Sequence, residues 1–137
     1  MYLEHVNLVV SDLEEVLHFY RAAFPHWEVR SKGQGEWYGK ARTWLHFGDD
    51  YHYIAFSDHG EGHNRALEGH QVGLAHFAYV VQGIESVVNR LTEAGYAVDK
   101  VGVQHPHRKN VYFIDPAGYE IEFVEYMSDL PSERNSD

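Results

Sequence analysis

An α+β fold built from one βαβββ unit written twice is what this sequence predicts. Three observations carry the prediction. A strand-like segment with a histidine, LEHVNLVV at 3–10, precedes an amphipathic helical segment. The same order recurs in VGLAHFAYVV at 72–81, at an offset of 71 residues that places His5 on His76, Val9-Val10 on Val80-Val81, Leu13-Glu14 on Ile84-Glu85 and Ala23 on Ala94. Both halves also close on a matching strand, Tyr53-Ile54-Ala55-Phe56 and Glu120-Ile121-Glu122-Phe123. That match needs an offset of 67, from Ala55 to Glu122, so the first half carries four more residues in between.

Each element has its own signal. Residues 3–10 alternate, with Val6, Leu8 and Val10 on one face and His5, Asn7 and Val9 on the other. Ser11-Asp12 is a helix N-cap, Glu14 and Glu15 suit the first turn, and Leu13, Val16, Leu17 and Tyr20 give an apolar stripe up to Pro25. Strands are expected at 27–31, 41–47 and 51–57, with Gly33-Gln34-Gly35 as a turn or loop. The run DHGEGHNRALEG has no apolar periodicity and reads as a linker. The second half predicts a helix over 84–94, faced by Ile84, Val87, Val88 and Leu91 and stopped by Gly95, then a strand at 96–101. A hairpin closes it, turned by Asp115-Pro116-Ala117-Gly118. The resulting division is 1–57 for the first unit, 58–70 for the linker, 71–127 for the second unit and 128–137 for a polar, frayed tail.

Composition excludes several classes. The net charge of −10 argues against nucleic acid as a partner. The absence of cysteine removes disulfides and thiolate sites and suits a reducing, cytoplasmic setting. No apolar run approaches the ~20 residues of a membrane span, and the N-terminus lacks the basic and apolar regions of a signal peptide. Eleven histidines are enough to make metal binding worth testing.

The chemistry centres on Glu122. Glu120 and Glu122 share one face of the closing strand, while Tyr119, Ile121 and Phe123 share the other. A carboxylate in the middle of an apolar strand is costly to bury unless it is paired or metal-bound. The best partners are His5 and His76. A single strand histidine is more often a hydrogen-bonded cleft residue than a ligand. Two in equivalent places, joined by Glu122, make a donor set of two imidazoles and one carboxylate with open coordination positions. Such a metal acts as a Lewis acid on a substrate held through two oxygens, or binds dioxygen if it is iron. Fe, Mn, Ni and Zn all suit these donors.

Other residues give weaker signals. Asn7, Tyr53 and Glu120 lie where they could touch substrate, Glu120 near the rim of the face it shares with Glu122. Arg108 and Lys109 could hold an anion or simply be solvated. His46, His52, His105 and His107 are secondary ligands, acid/base groups or plain surface histidines, and Trp37, Tyr38 and Trp44 form an aromatic wall or pack a core.

The histidine of LEHVNLVVSDL, the histidine of GLAHFAYVV and the ending DPAGYEIEF together resemble the vicinal oxygen chelate superfamily across nearly the whole chain. That family includes glyoxalase I, fosfomycin-resistance proteins, extradiol dioxygenases and bleomycin-resistance proteins. The resemblance implies two βαβββ units forming open, barrel-like mixed sheets around a metal cleft, with the helices outside. It puts metal ligands at His5, His76 and Glu122. The fourth ligand of glyoxalase I falls on Ala55, which cannot ligate. It further implies a metal-dependent lyase, isomerase, transferase or dioxygenase acting on a small oxygen-bearing substrate, and a homodimer, since many relatives exchange halves. The competing expectation is a metal-free drug-binding protein of the bleomycin-resistance type, with which the acidic charge is compatible.

Overall fold

The computed structural model describes all residues from Met1 to Asp137. The chain divides into two compact units, Met1–His63 and Asn64–Asp137. The first holds β1 (His5–Val9), α1 (Leu13–Ala23), β2 (Glu28–Trp37), β3 (Lys40–Gly48) and β4 (Tyr53–Ser57). The second holds β5 (Phe77–Val80), α2 (Ile84–Glu93), β6 (Lys100–Val101), β7 (Arg108–Ile114), β8 (Glu120–Tyr126) and a last turn, α3 (Pro131–Arg134). No helix is long and apolar enough to cross a membrane.

Each unit carries one four-stranded mixed sheet, in the orders β1-β4-β3-β2 and β5-β8-β7-β6. The predicted α+β architecture of two βαβββ modules is therefore present. The repeat extends to register. Parallel β1 and β4 pair His5 with Tyr53, Val6 with Ile54 and Asn7 with Ala55. Parallel β5 and β8 pair Phe77 with Ile121 and Ala78 with Glu122, the same alignment.

In each unit the helix covers one sheet face. Asp12 caps α1 by accepting the Glu15 amide at 3.1 Å, and Glu14 and Glu15 complement the positive end of the helix dipole. The helix buries Val16, Leu17 and Tyr20, with the Tyr20 ring 5.1 Å from that of Phe56 on β4. Leu8, Leu45, Phe47 and Ile54 are buried on the same side of the strands. In the second unit Ile84, Val87 and Leu91 of α2 are buried together with Val111, Phe113, Ile121 and Phe123. Each such side chain contributes about 1.5–3 kcal/mol on leaving water. The opposite sheet face is thereby left to the polar residues.

Several sequence expectations shift. Gly33-Gln34-Gly35 is not a turn but lies inside β2. The Trp44 indole of β3 packs where a side chain at Gly33 would stand, 2.7 Å from an ideal Cβ, so glycine serves close approach there. The reversal comes at Tyr38-Gly39, with φ 48° and 81°, the left-handed pair that a two-residue hairpin needs. The strand expected over 72–81 is only Phe77–Val80. Ahead of it, the Leu74 carbonyl accepts the Arg65 side chain at 2.9 Å instead of a strand neighbour. The strand expected over 96–101 is only Lys100–Val101, because the Tyr96 amide bonds back to the Leu91 carbonyl at 2.9 Å and closes the helix.

The tail differs too. Arg108 donates to the carbonyls of Arg134 and Ser136 at 3.3 and 2.8 Å, and His107 Nδ1 stands 2.9 Å from Glu133 Oε2. The Arg134 guanidinium lies 4.0 Å from the Tyr126 ring centre. Polar composition suggested fraying, but these cations and rings hold the segment in place.

Candidate functional site

The face of the second sheet turned away from α2 assembles a charged cluster. Strand alternation puts Glu120 and Glu122 of β8 there, and the antiparallel register sets Tyr112 of β7 opposite Glu122 and Lys100 of β6 opposite Tyr112. His76 stands immediately before β5, on the same face as Ala78. Its two ring nitrogens meet different carboxylates: Nδ1 is 3.3 Å from Glu120 Oε2, and Nε2 is 3.2 Å from Glu122 Oε2. Glu122 is oriented by Asn110, whose Nδ2 donates to Oε1 at 3.0 Å. Lys100 Nζ pairs with Glu120 Oε1 and lies 4.9 Å from the Tyr112 ring centre.

Charge follows contact. The hydrogen bond to Glu120 holds the Lys100 ammonium pKa above its ordinary value, with the charge of Glu120 reinforcing it. Burial raises the Tyr112 phenol, and the negative charge of Glu122 adds to that.

This arrangement fits a metal in part. A neutral imidazole has one N–H, whereas His76 faces an acceptor at each nitrogen. One proton serves one of the two contacts, and the other sets a carboxylate against a ring lone pair, an arrangement that a metal ion between them would relieve. Two donors each ~2.1 Å from a metal stand about 3.0–3.4 Å apart at octahedral or tetrahedral angles, and the His76–Glu122 separation of 3.2 Å falls in that range. No three or more of the His, Asp and Glu side chains are grouped so as to hold a metal ion. Within this cluster the reason is direct: Glu120 and Glu122 address different nitrogens of the same ring.

The first unit presents an aromatic counterpart. On the sheet face away from α1, the His5 ring stacks on Tyr53 at 4.5 Å, Tyr53 stacks on His46 at 4.4 Å, and Trp44 lies 5.0 Å from His46. Arg30 sits over Tyr53 at 4.7 Å. His5 Nδ1 is hydrogen-bonded to Glu4 Oε1 at 2.9 Å, a contact that lowers the Glu4 pKa. Burial lowers the His46 imidazole, with the charges of Arg30 and His5 adding to it. Burial, then the charge of Glu4, raises the Tyr53 phenol. Ala55 is buried, opposite Asn7 on one side and His46 on the other.

The sequence candidates thus separate. His5, Asn7, Tyr53 and His46 share one face of the first sheet, and His76, Glu120 and Glu122 share one face of the second. Lys109 stands opposite Glu125 on the α2 side of β7, 3.6 Å from Glu85 of α2. Arg108 binds tail carbonyls. His105 and His107 contact Ser136 and Glu133 of the tail, at 3.3 and 2.9 Å. His52 stands 3.7 Å from Asp49 in the β3–β4 turn. Tyr38 is exposed at the hairpin, and Trp37 stacks under Arg42 at 4.6 Å. Sequence reasoning did not single out Lys100, Asn110, Tyr112, Glu4 or Arg30. The alternation of Asn110 and Tyr112 through the strand before Glu122 was the available signal; nothing local marked Lys100.

Comparison with known proteins gives a consistent result. The sequence model of the Glyoxalase/Bleomycin resistance protein/Dioxygenase superfamily matches residues 2–123. A comparison with curated protein sequences finds no match. Among solved structures, a glyoxylase/bleomycin resistance protein/dioxygenase domain from Frankia sp. EAN1pec superposes with a TM-score of 0.76 at 19% identity, covering 99% of this chain and 98% of that one. A mutant of the fosfomycin resistance protein FosX from Listeria monocytogenes, complexed with Mn(II) and 1S,2S-dihydroxypropylphosphonic acid, gives 0.71 at 17% identity with 98% of both chains covered. A glyoxalase family protein from Enterococcus faecalis gives 0.66 at 21% identity, covering 91% of this chain and 96% of that one.

Proposed function

The chain belongs to the Glyoxalase/Bleomycin resistance protein/Dioxygenase superfamily, and from that premise we propose that it is a small metal-dependent enzyme binding an oxygen-bearing substrate directly at a divalent ion. His76 and Glu122 are assigned as donors. His5 is assigned as the third, from its equivalent place in the repeat. The observation that carries the reading is the imidazole of His76 faced by carboxylates at both nitrogens, 3.3 and 3.2 Å away. Lys100 balances Glu120, whereas Glu122 is met by the neutral Asn110 amide and the neutral Tyr112 hydroxyl, with no Lys or Arg paired to it.

The ion is Fe, Mn, Ni or Zn, all compatible with imidazole and carboxylate donors. The FosX complex holds Mn(II), which supports a divalent metal in general. When bound, such an ion supplies Lewis acidity to a coordinated substrate oxygen. The protein's own part is positional. Asn110 fixes the rotamer of Glu122, and the Ala55 methyl supplies no donor where its counterpart Glu122 supplies one. Asn7 and Tyr53, on the His5 face, are assigned to substrate. The reaction class is lyase, isomerase, transferase or dioxygenase, and the assembly is a homodimer.

Elemental analysis of protein purified without chelators, then re-metallated by dialysis, tests this. About one divalent ion per chain supports the reading. A protein that takes up none belongs instead to the metal-free binding class.

A further inference from the structure

We infer that Arg42 anchors a carboxylate, in a slot on the first sheet that suits a flat organic acid. Arg42 lies on the face of β3 that carries Trp44 and His46, away from α1. Its Nη1 donates to Ser57 Oγ at 2.6 Å, and Ser57 is fully buried. The remaining edge of the guanidinium, Nε with Nη2, has no protein acceptor, and Nε is shielded from solvent. No carboxylate of the chain pairs with it, although Asp and Glu number 21 against 11 Lys and Arg. Lys40, two residues earlier on the same face, differs: its Nζ meets Glu61 Oε1 at 2.6 Å. A half-buried guanidinium with an unpaired fork costs stability unless an anion completes it. The fork matches the two oxygens of a carboxylate.

The sheet leaves room beside Arg42. Antiparallel register sets Gly35 of β2 opposite Arg42 and Gly33 opposite Trp44. The Trp44 indole fills the space at Gly33, but a Cβ at Gly35 would meet nothing within 4 Å. Trp37, the next residue of β2 on this face, lies 4.6 Å from the guanidinium and 5.4 Å from the His59 ring. The floor is thus a glycine, flanked by two indoles, with the cation at one side. Such walls suit a flat apolar body with an anionic head. One unbalanced cation matches one negative charge, which favours a carboxylate over a phosphate dianion. The slot shares its face with His5. From Ser57, bonded to Arg42, to Tyr53, beside His5, is four positions of β4, ~13 Å at ~3.3 Å per residue. A substrate reaching both carries its metal-binding oxygens and its carboxylate about that far apart. This last step rests on the metal reading, whereas the carboxylate site does not.

The experiment uses the full-length protein in a chelator, with 2-naphthoate as probe and 2-naphthalenemethanol as its uncharged counterpart. Calorimetry reads affinity, and the ¹H–¹⁵N signal of Arg42 Nε reads contact. Saturable binding of 2-naphthoate that shifts this signal is expected, with the alcohol at least tenfold weaker. Arg42→Gln should weaken 2-naphthoate about tenfold or more, the loss of a charge-assisted hydrogen bond. Arg42→Lys, which keeps the charge and loses the fork, should not restore it fully. Gly35→Val fills the open space and leaves Arg42 in place. It should weaken binding by a similar factor, and it carries the test if Arg42→Gln does not fold. An Arg42 with a merely structural role would change stability and give no Nε shift. Absence of saturable binding, equal binding of the alcohol, or unchanged affinity in Arg42→Gln overturns the inference, as does unchanged affinity in Gly35→Val where that variant stands in. A protein that takes up a divalent ion but not 2-naphthoate keeps the metal reading and loses this one. The converse result keeps this one and loses the metal reading.

Discussion

Glu122 Oε2 stands 3.2 Å from His76 Nε2, two residues out of direct register across β5 and β8. In the first unit the same diagonal joins His5 to Ala55. The two halves thus share a backbone and differ in whether the histidine has a carboxylate beside its Nε2.

Removal of either member of the pair is expected to release metal. His76→Ala and Glu122→Gln should each weaken binding by more than the ~10–100-fold typical of outer-shell changes. Metal content after dialysis against a weak chelator measures this. Retention at the wild-type level in His76→Ala would remove it from the ligand set.

Ala55→Glu should do the opposite. It builds on β4 the carboxylate that Glu122 supplies on β8, next to His5 instead of His76. Affinity should rise about tenfold or more, ~1.4 kcal/mol, while any substrate that binds directly to the ion should bind less well. Unchanged affinity in a folded protein would mean that Ala55 is not at a ligand position.

Glu125 gives a pH-dependent prediction remote from the site. Helix α2 starts at Gly83, which has no side chain to cap it and a φ of 74°. Glu125, from β8, accepts the Gly83 and Ile84 amides at 2.9 and 3.1 Å. These bonds hold its carboxyl below the usual carboxylate range. A depressed folded-state pKa stabilises above the unfolded value, and that stability is lost as pH falls through the folded one. Thermal melts from pH 7 to 3 should therefore show a decrement in the wild-type protein that is smaller in Glu125→Gln. At neutral pH Glu125→Ala should cost ~1 kcal/mol, as lost caps do. Equal pH slopes in Glu125→Gln and wild type would contradict this.

Gly33→Ala should destabilise by about 1–3 kcal/mol through overpacking, because its Cβ would meet the Trp44 indole at 2.7 Å. Gly35→Ala, with open space around it, is the control and should be neutral or slightly stabilising. Denaturant melts compare them, and equal midpoints would return this stretch to the turn that composition suggested.

The homodimer is checked by light scattering at micromolar concentration, where twice the 15.9 kDa chain mass is expected. A monomer there would overturn it.

The sequence alone determined the repeated unit, the helices and the faces of β1 and β8, because alternation and helical spacing are local and the two halves could be compared with each other. Thus Leu8 falls with Val6 and Val10, Ile121 with Tyr119 and Phe123, and Glu120 with Glu122, each set on one face. Tertiary structure decided what local pattern cannot hold. Gly33 resembled a turn residue until Trp44 of the next strand came against it. Arg108 resembled an anion-binding residue until the tail carbonyls occupied it. Lys100 is 20 positions from Glu120, and no periodicity links them. Only the pairing of β6 with β7 and β7 with β8 puts an ammonium beside that carboxylate. Partners in a charged cluster are chosen by distance in space, and a sheet built from strands remote in sequence sets those distances.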